Sequence, residues 1–185
     1  MKFLTVLIAV LSAVLVMGCS SITVTTDYDH EANFAALKTF TWLSGTKDAV
    51  SANAPTSLFQ NQLVDKRFRT AVKSQLEAKG LTENAASPDF YVVYYSATEK
   101  KVNVTNYGYG YGPRWGAYGG GVDVQQYTQG TVIIDLVDAK TKELLWRSVG
   151  SGALASNPDP STMEEKINGV VQQMLESYPP KPGSK

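Results

Sequence analysis

The chain has 185 residues, of which 43% are hydrophobic, and it carries no formal net charge at pH 7. This length suits one globular domain, and the balanced charge excludes the basic surplus typical of nucleic-acid-binding proteins. A single cysteine and a single histidine exclude an internal disulfide, a CxxC redox pair, a cysteine-rich zinc site and a two-histidine metalloprotease motif.

Residues 1–18 predict a secretory signal peptide. Lys2 supplies a positive charge, and residues 3–17 form an apolar run of 15 residues that only Thr5 and Ser12 interrupt. Such a run is shorter than the roughly 20 residues of a membrane-spanning helix, and no basic cluster follows it. We therefore expect a cleaved leader, not a transmembrane anchor.

Cys19 lies directly after this segment. The residues Val16-Met17-Gly18-Cys19 resemble the lipobox of bacterial lipoproteins, although Met17 is a less usual residue at its place. The resemblance implies a diacylglyceryl thioether on the Cys19 sulfur, cleavage before Cys19 and acylation of the new amine, for example by palmitate. Ser20, which is not an aspartate, implies sorting to the outer membrane, with the folded part facing the periplasm.

The first half of the mature chain predicts two strands. Residues 19–26 are expected to be a tether that runs into the first strand, which ends at 27–29. Residues 32–37 predict a short helical turn, and polar–aromatic alternation over 39–43 predicts a half-buried second strand. A Ser-, Ala- and Asn-rich loop follows over 44–55.

An apolar stripe predicts the first helix over 57–79. Ser57 and Gln60 have the spacing of a capping box, and Gly80 is expected to end the helix in the left-handed conformation. A second stripe predicts a helix over 160–178, with Asp159 as its cap and Pro160 at its first position.

Four strands are predicted between the helices, at 89–97, 100–106, 130–138 and 143–150, the last two joined as a hairpin. Strands in runs favour an antiparallel sheet. We therefore predict an α+β two-layer sandwich, in which a twisted, mainly antiparallel sheet carries two amphipathic helices on one face. The single domain is expected over 27–178, with a flexible tail at 179–185.

A Gly/Tyr-rich loop over 107–121 is the first candidate binding segment. It lacks the spacing of a phosphate-binding glycine loop. Aromatic side chains on such a loop stack on sugar rings, insert at a membrane interface or fill a partner's pocket, and the alternative is a mobile low-complexity insertion. The candidate partner-binding residues are Tyr107, Tyr109, Tyr111, Arg114, Trp115 and Tyr118.

Catalytic and metal-binding constellations are weak. Residues 27–31 gather three carboxylates and His30, but neighbours in an extended segment point to opposite faces, so a solvated strand end is expected there. A serine triad would need His30, and no GxSxG motif is present. Asp135 is expected to face outward, opposite Ile134. We expect no enzyme, no metal and no cofactor.

The mature chain resembles a family of small bacterial lipoproteins with a domain of unknown function. The residues that carry the resemblance are Asp27-Tyr28-Asp29, Phe34-x-x-Leu37-x-Thr39-Phe40-x-Trp42, Pro88-Asp89-Phe90, Gly130-Thr131-x-x-Ile134-Asp135-Leu136-Val137-Asp138 and Leu144-Leu145-Trp146-Arg147. The resemblance implies an envelope location and an α+β domain, and it supplies no activity. Trp42 and Trp146 are expected to be core or sheet-face aromatics, and Asp138 a turn former.

These observations predict a lipid-anchored envelope protein that works as an accessory or binding module. Its expected partners are the membrane, through Cys19, and an envelope protein or cell-wall glycan, with no nucleic acid. The alternative is a structural lipoprotein that assembles with itself through a sheet edge and the Gly/Tyr loop. A hydrolase is the third hypothesis.

Overall fold

The computed structural model describes residues 22–43, 58–106, 122–154 and 159–181. The strands are β1 (Thr23–Tyr28), β2 (Thr39–Trp42), β3 (Thr82–Glu83), β4 (Phe90–Asn106), β5 (Val122–Asp138) and β6 (Leu144–Leu154). The helices are α1 (Gln62–Ala78) and α2 (Pro160–Leu175), and short 3-10 turns span Phe34–Ala36 and Leu58–Gln60. Within these residues, neither helix has the length and hydropathy needed to cross a bilayer.

The six strands form one mixed sheet in the order β1-β6-β5-β4-β2-β3. β1, β6, β5 and β4 pair antiparallel, whereas β2 pairs parallel with both β4 and β3. Both helices pack on one face of this sheet and contact each other. The predicted α+β two-layer sandwich with a mainly antiparallel sheet is therefore confirmed.

The core lies between the helices and one face of the sheet. The buried apolar side chains of that face meet those of the two helices in one cluster, whose largest members include Phe40, Phe90, Trp146, Leu76 and Met174. Trp146 is fully buried and Trp42 partly buried against this cluster, which confirms their predicted roles as core and sheet-face aromatics.

The first helix begins later than the sequence predicts. A 3-10 turn precedes α1, and the side chain of Asn61 accepts a hydrogen bond from the backbone N–H of Leu63. Asn61 is therefore the N-cap of α1, and Gln60 lies in the preceding 3-10 turn. The predicted capping residue Ser57 lies outside the described part of the chain. Gly80 has a φ of 85° just after the helix, as predicted for the residue that ends it.

The second helix begins as predicted, since the Asp159 carboxylate accepts hydrogen bonds from the backbone N–H groups of Ser161 and Thr162. It ends at Leu175, three residues before the predicted end, but Tyr178 is still buried beyond it. The first strand also differs in extent. β1 begins at Thr23, so part of the expected 19–26 tether belongs to the sheet.

One long hairpin replaces three of the predicted strands. β4 joins the two strands predicted over 89–106, and β5 begins eight residues before the predicted start at Gly130. The two strands pair over all 17 residues without a register shift, from Phe90↔Asp138 to Asn106↔Val122. β6 pairs with β5 as far as Thr128↔Leu154. Within the described ranges, residues 101–106 and 122–127 therefore pair only with each other, and we call them the ribbon.

The hairpin between β5 and β6 is confirmed. Asp138 accepts hydrogen bonds from the backbone N–H groups of Lys140 and Thr141 at 2.7 and 2.8 Å, which makes it the predicted turn former. Lys142 completes the turn with a φ of 65°.

Candidate functional site

The sequence-predicted site residues lie outside the described part of the chain. These residues are Cys19, Tyr107, Tyr109, Tyr111, Arg114, Trp115 and Tyr118. Their flanking residues are described. Asn106 and Val122 pair with each other at the end of the ribbon, so the Gly/Tyr tract joins the two strands there. Three residues separate Cys19 from Thr23, the first residue of β1.

A shallow groove lies where β1 meets the base of the ribbon. It has a volume of about 440 Å³ and is lined by Thr23, Tyr127, Gln129, Ser151, Gly152 and Ala153. Alternation along the strands places five of these side chains on the sheet face opposite the helices, because Ile134 and Leu136 point into the helical core. The five are Thr23, Tyr127, Gln129, Ser151 and Ala153. Tyr127, in the ribbon, is 41% exposed.

The acidic segment at the end of β1 forms local contacts. The Asp27 carboxylate accepts a hydrogen bond from the backbone N–H of Tyr28, and Asp29 accepts one from that of Glu31. The His30 ring lies edge-on to Tyr28, with 4.5 Å between centroids. Over the described ranges, no three His, Cys, Asp or Glu side chains are grouped to hold a metal ion.

The sequence suggests that Asp135 faces solvent, but the structure shows that it does not. It lies on the sheet face opposite Ile134, but it is buried at 4% exposure and pairs with Arg147 of β6. The guanidinium donates two hydrogen bonds of 2.7 Å to the two carboxylate oxygens. This pairing raises the pKa of Arg147. Burial, reinforced by the same carboxylate, raises the pKa of the neighbouring Tyr95. The pair gives the buried Asp135 carboxylate two fixed hydrogen-bond donors on the sheet face.

A second cluster, which the sequence did not reveal, lies between α1 and β4. The Tyr94 hydroxyl donates a hydrogen bond of 2.5 Å to Asp65, and both side chains are buried. The Arg69 guanidinium lies 4.6 Å from the centroid of the Trp42 ring, which in turn contacts Tyr94 edge-on. Trp42, Asp65 and Arg69 border a shallow cleft of about 360 Å³, whose rim also includes Lys66, Thr70, Lys73 and Glu83.

The chemistry of this cluster favours a structural role. Burial, reinforced by the Asp65 carboxylate, raises the pKa of Tyr94 far above its ordinary value. The phenol therefore stays neutral and remains a hydrogen-bond donor at physiological pH. One sequence signal could have identified the cluster. Asp65 lies three residues before Phe68 and seven before Val72, which places a carboxylate on the apolar face of the helix.

Comparison with known proteins assigns the family. A domain of unknown function (DUF4136) matches residues 24–180, and the chain therefore belongs to this family. This confirms the part of the predicted resemblance that concerns a domain of unknown function. No curated protein is detectably similar in sequence.

The fold of this chain is similar to that of several solved structures. A PDZ domain protein from Parabacteroides distasonis superposes with a TM-score of 0.54 at 16% identity, over 86% of this chain and 36% of that one. This chain thus spans about a third of that protein's length, and the likeness concerns the fold alone. Two PelC dodecamer structures from Paraburkholderia phytofirmans give TM-scores of 0.46 and 0.43 at 12% and 11% identity, each over 83% of this chain and 94% of PelC.

Proposed function

We propose that the protein is a lipid-anchored component of the bacterial cell envelope and works as a non-enzymatic binding module. The observation that carries this proposal is the position of Cys19. A lipobox ends at this residue, and the folded domain begins four residues later, at Thr23. A lipid on Cys19 therefore holds the domain close to the membrane surface. Ser20 favours the outer membrane, with the domain in the periplasm.

The contact region of the proposed module is the Gly/Tyr tract, which connects β4 to β5 in the sequence. Between Asn106 and Val122 the sequence has four tyrosines, one tryptophan and one arginine, and it has no acidic residue. Aromatic and arginine side chains dominate binding energy at protein interfaces. The proposed ligand is an envelope protein or a cell-wall glycan.

The absence of catalysis is part of the proposal, and the roles of the aspartates support it. Asp89, Asp138 and Asp159 accept backbone hydrogen bonds that organise a strand junction, a turn and a helix start. Asp135 neutralises Arg147, and Asp65 binds the Tyr94 hydroxyl. A carboxylate that holds the fold in this way is a poor general acid or base, because fixed donors already occupy its oxygens.

The anchor is tested by fractionation of cells that express the full chain. We expect the wild-type protein in the outer-membrane fraction, with acyl chains detected by mass spectrometry at its N-terminus. Cys19→Ala should yield a soluble or unprocessed protein, and the matched control Ser21→Ala should behave as wild type. A Cys19→Ala protein that is still cleaved and anchored would refute the proposed lipidation.

The contact region is tested by photocrosslinking in live cells, with a photoreactive residue in place of Trp115. A discrete crosslinked species, identified by mass spectrometry, is the expected result. A probe in place of Lys140, in the turn at the other end of β5, is the control. Absence of a crosslink at both Trp115 and Tyr109 would contradict the assignment of the tract as the binding segment.

A second candidate function is self-assembly, which the edge of the sheet favours. β1 is a six-residue strand that pairs with β6 along one side and forms an end of the sheet. Its Thr23 and Thr25 side chains are exposed, and exposed strand edges readily pair between copies. Sedimentation of residues 20–185 separates the candidates, because only self-assembly predicts a molecular mass that rises with concentration.

A further inference from the structure

The start of the domain and the base of the ribbon lie at the same end of the sheet. The pairing register places Thr23 opposite Ser151, Ser151 opposite Thr131, and Thr131 opposite Ala97, so these residues form one row across four strands. β4 continues past this row toward Asn106, in the direction from which the chain enters β1. The groove that contains both Thr23 and Tyr127 joins the two features.

The tether and the ribbon extend from this row by unequal lengths. The four residue-to-residue steps from Cys19 to Thr23 span at most about 14 Å when the chain is fully extended. The nine residue-to-residue steps from Ala97 to Asn106 span about 30 Å along the strand. The tip of the ribbon at Asn106 thus lies about twice as far from the row as the tether can reach. The rest of the sheet lies on the other side of the row from the ribbon and the tether. An orientation that moves the ribbon away from the membrane would therefore bring the rest of the sheet toward it.

The exposed side chains of the ribbon suit a lipid–water interface. Val102 is 57% exposed and Tyr127 41% exposed, although both are large and hydrophobic. The neighbouring Lys100 is exposed, and Lys101 forms an ion pair with Glu99. Tyrosine and long basic side chains are favoured at the headgroup level, where the apolar part of the side chain is buried and the polar end is hydrated.

We propose that the ribbon contacts the headgroup region of the same bilayer that holds the lipid on Cys19. This inference rests on the proposed lipid anchor, and it names the membrane surface as a partner of the ribbon. The domain is then held at two points, the acyl chains at the start of β1 and the ribbon, and its orientation relative to the membrane is fixed.

The test uses the lipidated protein in liposomes of phosphatidylethanolamine and phosphatidylglycerol. Lipidation blocks the sulfur of Cys19, so Val102→Cys provides the single reactive thiol for an environment-sensitive fluorophore. Lipids with a nitroxide at a shallow acyl position should quench this fluorophore at least about two-fold, because it lies at the interface. The matched control is Lys140→Cys, exposed in the β5–β6 turn, where we expect no quenching.

Flotation of the same samples separates the two proposals. Liposomes that carry the protein to the top of the gradient, with equal and negligible quenching at both positions, would overturn the ribbon inference and leave the anchor intact. A protein that stays at the bottom, with Cys19 labelled by the fluorophore, would overturn the anchor. Gln126→Cys, at the cross-strand neighbour of Val102, repeats the measurement if the first variant does not fold.

Discussion

Arg147 and Asp135 face each other across β6 and β5 and form a two-pronged ion pair on the sheet face opposite the helices. The two partners differ in exposure. The side chain of Asp135 is 6% exposed, whereas that of Arg147 is 46% exposed. The carboxylate has lost most of its hydration and depends on the guanidinium, while the guanidinium retains much of its own.

This asymmetry predicts that Arg147→Leu destabilises the domain. We expect a loss of about 2 kcal/mol in the free energy of unfolding, below the value for a fully buried pair, because Arg147 is half exposed. Urea denaturation followed by circular dichroism measures it. Lys101→Leu, which removes the exposed ion pair with Glu99, is the matched control and should have no measurable effect. Equal losses in both variants would contradict the argument.

Alkaline pH should weaken the fold through two buried tyrosines. Burial raises the pKa of Tyr178, and burial together with Asp65 raises that of Tyr94. Both phenols stay protonated in the folded state while unfolded tyrosine ionises near pH 10, so their contribution is complete below pH 10 and is lost as pH rises further. Each tyrosine should cost about 1.4 kcal/mol per pH unit above that point.

The measurement is the free energy of unfolding between pH 8 and pH 11, from about two units below to about one unit above the ordinary tyrosine pKa. Tyr178→Phe should reduce the slope above pH 10. The exposed Tyr127→Phe should leave the slope unchanged. A wild-type protein whose stability is flat over this range would refute the prediction.

Acid pH should weaken the junction between β2 and β4. The Asp89 carboxylate accepts hydrogen bonds from the backbone N–H groups of Lys38 and Thr39 and from the Thr39 hydroxyl, and these bonds lower its pKa below 3.8. Its contribution is therefore present above pH 3.8 and is lost as pH falls through the lowered value.

Asp89→Asn should lose about 1 kcal/mol at pH 7, because the amide is a weaker acceptor than the carboxylate. The difference from wild type should shrink as pH falls below 4, close to the ordinary aspartate pKa of about 3.9. Thermal unfolding at a series of pH values measures it, with the exposed Glu165→Gln on α2 as the control. A difference that stays constant down to the lowest pH would count against the proposed cause.

Two glycines should respond oppositely to the same substitution. A Cβ added at Gly150 of β6 would lie 2.9 Å from the Met174 sulfur, which packs beneath it, whereas one added at Gly169 of α2 meets nothing within 4 Å. Gly150→Ala should lose about 1–3 kcal/mol through overpacking. Gly169→Ala should gain about 0.5–1 kcal/mol, because alanine favours the helix. Calorimetry of both variants checks the signs.

The elements that the sequence predicted well are those in which one face is buried. The stripe of α2 and the cap at Asp159 follow directly from helical periodicity, and the β5–β6 hairpin follows from Asp138 and alternation. The start of α1 was mispredicted because Ser57 and Asn61 are both good caps, and only the packing of the intervening 3-10 turn selects Asn61.

The ribbon and the Tyr94 cluster were missed for a different reason. The polar run Thr98-Glu99-Lys100 suggested a break in β4, but cross-strand pairing with β5 continues through it without a buried face. The contact of Asp65 with Tyr94 joins residues 29 positions apart, and local patterns do not encode such a distance. The tract at 107–121 and Cys19 remain predictions from sequence.

Because the register of the β4–β5 hairpin is unbroken, the number of residues in its strands sets how far the ribbon reaches beyond the sheet. Removing two residues from each strand would shorten the reach beyond the sheet by about 7 Å and keep every remaining side chain on its original face. Removing one residue from each strand at the base of the ribbon would shorten the reach by half as much. It would also move every side chain of the ribbon, including Val102 and Tyr127, to the opposite face. The hairpin can therefore be tuned in steps of two residues while the rest of the sheet stays unchanged.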